Sequence, residues 1–174
     1  MFSCEYLLNN SCSTNCNGSP GPQGISGEFG LDGNSVLWKH DNSSSGAPNK
    51  GGFNTHSGYF IDASSPSPTT SLVKADIKSI YINYWNLPYW QAIGPLPPTP
   101  YKSWLLNISP GDLIYIRNRD ETLWPNDFAC YKVIDICGGS YSLYTPINVS
   151  FIEDGDYSDF SGNNNYSIGY VHSG

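Results

Sequence analysis

The chain has 174 residues, of which 13% are charged and 14% aromatic, and its formal net charge is −7. Its eight Lys and Arg residues are scattered and form no patch able to neutralise phosphates, which argues against a nucleic-acid partner. No apolar stretch approaches the roughly 20 residues of a membrane-spanning helix, so no membrane association is expected. Thirteen Tyr and five Trp beside 18 Gly and 13 Pro point to short strands joined by turns, and not to helices.

Residues 1–17 read as a cysteine-bearing anchor segment holding Cys4, Cys12 and Cys16. This segment has no basic region leading into an apolar run, so a secretory signal is not expected. No His or second close Cys pair completes a set of four ligands with Cys12 and Cys16, which disfavours a metal site. Disulfides between the chains of an assembly are the alternative to free thiols here.

From residue 18 to residue 35 the sequence keeps a strict period of three, with Gly18, Gly21, Gly24, Gly27, Gly30 and Gly33 in register. Only glycine fits the crowded axis where three polyproline-like strands wind together, whereas a flexible linker needs no period. Pro20 and Pro22 fall in non-glycine slots, where their fixed φ suits that conformation. The run is therefore read as a collagen-like segment, and it implies a homotrimer. At about 3 Å per residue it makes a rod of roughly 50 Å. Ile25, Phe29, Leu31 and Asn34 occupy slots that imino acids would fill better, so the rod needs a trimerising domain or a cross-link beside it.

Residues 36–174 read as one head domain, and about 139 residues suffice for a proper core. Strands are expected at 57–62, 77–85, 112–117, 128–136, 140–144, 147–152 and 166–172. In the second, Ile80, Ile82 and Tyr84 alternate with Ser79, Tyr81 and Asn83. In the fourth, Cys130, Lys132, Ile134 and Ile136 share one face. Gly138–Gly139 fits a hairpin turn, and 101–108 holds a helical turn. Residues 42–56 and the Pro-rich 86–100 read as loops. Seven short strands at this spacing predict an all-β fold, an antiparallel, jelly-roll-like β-sandwich.

The order of landmarks adds a resemblance. The Gly-x-y run leads into Gly58-Tyr59-Phe60 and Ile80-Tyr81-Ile82, then Ser103-Trp104-Leu105 and Gly111-Asp112-Leu113-Ile114. Phe128-Ala129-Cys130-Tyr131-Lys132-Val133 follows, and the sequence given closes on Tyr170-Val171-His172-Ser173-Gly174. This resembles the collagen-like fibre proteins of tailed phages and large DNA viruses, in which a C-terminal β-domain follows the triplets. The resemblance implies a trimeric virion component at the particle surface or tail, in contact with other virion structural proteins. It carries over no catalytic residues and no cofactor.

The candidate chemistry is sparse. His40, His56 and His172 lie far apart in sequence, outside any nucleophile motif, and are expected on the surface or in loops. Asp154, Asp156 and Asp159 lie in an acidic run that offers oxygens to Ca²⁺ but lacks the EF-hand spacing, so a solvated loop is favoured and no metal is expected. Cys130 and Cys137 flank a strand as ordinary core or edge residues. Trp85 and Trp104 are assigned to the core. Tyr89, Trp90 and Tyr101 belong to a Pro-stiffened aromatic segment suited to contact with a ligand or a neighbouring subunit, and for Tyr89 and Trp90 packing in the core is the equal alternative. The reading is a non-enzymatic virion structural protein, and its alternative is an adhesin recognising host-surface carbohydrate.

Overall fold

The computed structural model describes residues 35–42, 46–62, 68–98, 100–120, 126–137 and 143–173. The triplet glycines, Cys4, Cys12, Cys16 and the Gly138–Gly139 turn lie outside the described residues, while Ser35, the last residue of the expected rod, is described and belongs to a strand.

Seven strands form: β1 (Ser35–His40), β2 (Gly52–His56), β3 (Ser79–Asn83), β4 (Leu113–Asn118), β5 (Phe128–Ile136), β6 (Tyr144–Asp154) and β7 (Asn165–Val171). They close into a single barrel in the order β1-β2-β3-β6-β5-β4-β7. The expected antiparallel sandwich is thus corrected to a mixed barrel. Alternation along a strand reads the same for both architectures; what separates them is whether the two outermost strands find partners. Here β1 pairs antiparallel with β7 over five residue pairs, Ser35–Gly169 to Lys39–Asn165, and parallel with β2 through only two, Lys39–Gly52 and His40–Phe53. That short parallel seam closes the barrel.

The expected strands at 77–85, 112–117, 128–136 and 166–172 correspond to β3, β4, β5 and β7, and 147–152 falls inside the longer β6. Residues 57–62 do not form a strand, and the loop expected over 42–56 contains β2. The β2 sequence GFNTH has weak strand propensity. It is held because Phe53 reaches the core and all five residues are buried.

The barrel interior is filled by side chains, among them Trp38, Phe53, Ile80, Ile82, Ile114, Ile116, Tyr131, Val133, Ile147, Val149, Tyr166 and Ile168. Most of these are Ile or Val, the β-branched side chains that pack well on a pleated strand, and four aromatic rings complete the filling. On β5 the expected face breaks. Val133 pairs with Val149 and Asp135 with Asn148, so Ile134 is an extra residue, a β-bulge. It turns Ile134 outward at 43% exposure and brings Ile136 into the core with Val133, where plain alternation had set it beside Lys132.

β2 and β3 are buried on both faces. Residues 57–62 and 68–73 cover them from outside, tied by Ser57 N to Thr69 O and Ser71 N to Thr55 O. Phe60 packs edge-on against Tyr81 there, and Tyr144 stacks on Tyr81.

Candidate functional site

Three groups of residues could carry function: the aromatic segment after β3, the acidic connection between β6 and β7, and a buried polar centre beneath that connection.

The aromatic segment starts from Trp38 on β1, whose indole N–H donates to Asn83 O and Trp85 O, both at 3.0 Å. Tyr101 and Trp104 pack on the Trp38 ring at 5.8 Å between centroids. Trp104 belongs to α1 (Lys102–Leu106) and in turn meets Tyr170 at 4.8 Å. Trp85 is buried, Trp104 is half-buried against the core, and Tyr89, Trp90 and Tyr101 are half-buried too. A 3-10 turn, Leu87–Tyr89, presents Trp90 to the β1–β2 seam. Gly51 N bonds Trp85 O, Gln91 N bonds Lys50 O, and Lys39 Nζ lies 5.8 Å above the Trp90 ring. The most exposed apolar side chain in the segment is Ile93, at 96%, a residue the sequence did not single out.

Gly51 makes this docking possible. Its φ is +81°, and a Cβ there would sit 2.6 Å from the Trp90 backbone. Gly51→Ala is expected to cost at least about 2 kcal/mol, from left-handed strain and overpacking together. Urea unfolding with tryptophan emission checks this, since Trp90 must lift from the seam.

Asp154, Asp156 and Asp159 do not converge. Among the described residues no three His, Cys, Asp or Glu side chains are grouped to hold a metal ion. Residues 156–162 instead line an open groove of about 500 Å³.

Beneath that connection lies the buried centre. Lys74, in the 3-10 turn Lys74–Asp76 between β2 and β3, and Asp127, just before β5, are both fully buried and form an ion pair between Nζ and Oδ1. Lys74 Nζ also donates to Tyr157 O at 2.6 Å and lies 5.6 Å from the Phe160 ring centroid. Asn118 Nδ2, at the end of β4, donates to Asp127 Oδ2 at 2.9 Å. The Tyr131 hydroxyl donates to Lys74 O at 2.9 Å, and the Tyr166 hydroxyl lies 3.5 Å from Asn118 Nδ2 while accepting from Ser161 N. Burial pushes both phenols above their ordinary pKa. Three connections, β2–β3, β4–β5 and β6–β7, are thus joined at one end of the barrel. Strand directions place Ser35, the start of β1, at the opposite end.

The histidines contradict their expected exposure. His40 and His56 are fully buried. Thr55 Oγ1 donates to Ser71 O at 2.6 Å, so its contact with His40 Nε2 at 3.0 Å makes that nitrogen the donor and leaves Nδ1 without a partner. His56 lies between Asn54 Oδ1 at 2.8 Å and Pro68 O at 3.2 Å. Burial lowers each to about 4. His172 is largely buried, its side chain 13% exposed, and meets Asp112 Oδ2 at 2.9 Å. Cys130 is a buried free thiol; Cys137 is buried beside Phe60 and Tyr81, as a core residue would be, but is also disulfide-bonded, which was not expected.

Lys74, Asp127 and Asn118 were missed because each alone is an ordinary polar residue. Lys74 and Asp127 stand 53 positions apart, and no spacing rule joins them. No family model, no curated protein and no solved structure matches this chain.

Proposed function

We propose that the chain is a non-enzymatic structural component of a virus particle, assembled as a trimer with a collagen-like stalk and a β-barrel head. The observation that carries this reading is the unbroken glycine period from Gly18 to Gly33, which ends two residues before β1 begins at Ser35. A stalk joined there enters one end of the barrel and leaves the opposite end, with the 156–162 groove, facing away. Three copies on one stalk multiply weak surface contacts by effective concentration.

Sedimentation of the full chain at micromolar concentration is expected to give a three-chain species, loosened by Gly27→Arg. A stable monomer overturns the reading. The alternative, recognition of host carbohydrate, draws support from the half-buried Trp90 ring. Ile93 at the same loop favours a protein neighbour, since an aliphatic tip offers a sugar no hydrogen bond. Glycan-array binding by the trimer would favour the alternative.

A further inference from the structure

We propose that Lys74 and Asp127 are the two partners of an intramolecular amide cross-link, formed by the folded protein without any other reactant. Three features of the buried centre support this. The Lys74 nitrogen and the Asp127 carboxylate are in direct contact, so the reaction is unimolecular and the fold already holds its two partners together. Both side chains are fully buried, with Tyr157 O and the Phe160 ring as the other neighbours of Nζ. Holding two ions away from water carries a desolvation penalty on each, and condensation replaces them by one neutral amide. Third, Asn118 Nδ2 points at Asp127 Oδ2 and stabilises charge on that oxygen as the tetrahedral intermediate forms.

The atoms balance within the pair. Nζ bonds to Cγ of Asp127, and the Cγ–Oδ1 bond breaks. Two of the three ammonium protons leave with Oδ1 as water, and the third stays on the amide nitrogen. Oδ2 becomes the amide carbonyl oxygen and keeps its hydrogen bond from Asn118. No charge, oxidant or cofactor enters. The product ties the β2–β3 connection to the start of β5 across 53 positions, at the end of the barrel opposite Ser35. Such a link would keep the barrel closed when it is pulled or attacked by proteases.

The test is the intact mass of the full chain after reduction and alkylation, followed by fragmentation of its proteolytic peptides. The expected result is a chain lighter than its sequence by one water, with a branched peptide containing Lys74 and Asp127. Lys74→Arg, which keeps the cation but cannot yield this amide, should run at its full sequence mass. An unmodified wild-type mass overturns the proposal, whatever the variants do. A loss of one ammonia, with the branch at Asn118, overturns the assignment to Asp127. A lost water without a branched peptide, as from a cyclic imide at Asp154–Gly155, overturns it as well.

Discussion

Lowering the pH from 7 to 4 is expected to remove about 3 kcal/mol of stability through His40 alone. In the unfolded chain this histidine binds a proton below its ordinary value of 6.5, whereas in the fold it stays neutral down to about 4. Burial is the main cause. Repulsion from His56 adds to it, and Asp41 opposes it. The unfolded state therefore holds more protons throughout this window, and stability rises with pH across it. The contribution is complete above pH 6.5, shrinks as pH falls, and changes no further below about 4. His56 adds a contribution of the same sign, because its burial outweighs the Pro68 carbonyl that favours its charged form. Since small domains are stable by only about 5–15 kcal/mol, the two together bring the barrel near unfolding at pH 4. Urea titrations at several pH values measure the slope. A His40→Gln variant should flatten it, and a slope of zero between pH 6.5 and 4 would sink the account.

The second large effect belongs to Trp38. Replacing it by Ala is expected to cost about 5 kcal/mol, the upper end for a buried ring. The ring is fully buried between Tyr101 and Trp104, so truncation leaves a void bounded by stiff aromatic neighbours. It also strips Asn83 O and Trp85 O of their shared donor. Because Trp38 lies on β1, it ties the strand that closes the barrel to the end of β3. Trp38→Phe keeps most of the packing and loses the N–H, and roughly 1–3 kcal/mol is expected for it. Chemical unfolding of both variants separates the two contributions. A loss below about 2 kcal/mol for Trp38→Ala would mean that closure rests elsewhere.

The same residues show what could be read in advance. Ile80 and Ile82 announce β3 by their alternation with Ser79, Tyr81 and Asn83. The face assigned to Ile134 and Ile136 failed because one extra residue on β5 reverses the alternation, and a bulge is defined by the partner strand. β2 was read as loop because Gly52 and Asn54 are poor strand formers, yet pairing with β3 and cover from 68–73 outweigh that weak preference. The aromatic segment was legible as a cluster. Its packing onto Gly51 and Gly52 was not.

By itself, the sequence determined the mostly β class and four of the strands nearly to their ends, and it displays the glycine period. These are local quantities, set by side-chain alternation and by the φ each residue tolerates. Tertiary structure alone decided that β1 closes a barrel against β7 and β2, that His40 and His56 lose water, and that Lys74 meets Asp127. Each of these depends on pairing between residues far apart in the chain. Desolvation follows from what covers a group, which no short window of sequence contains.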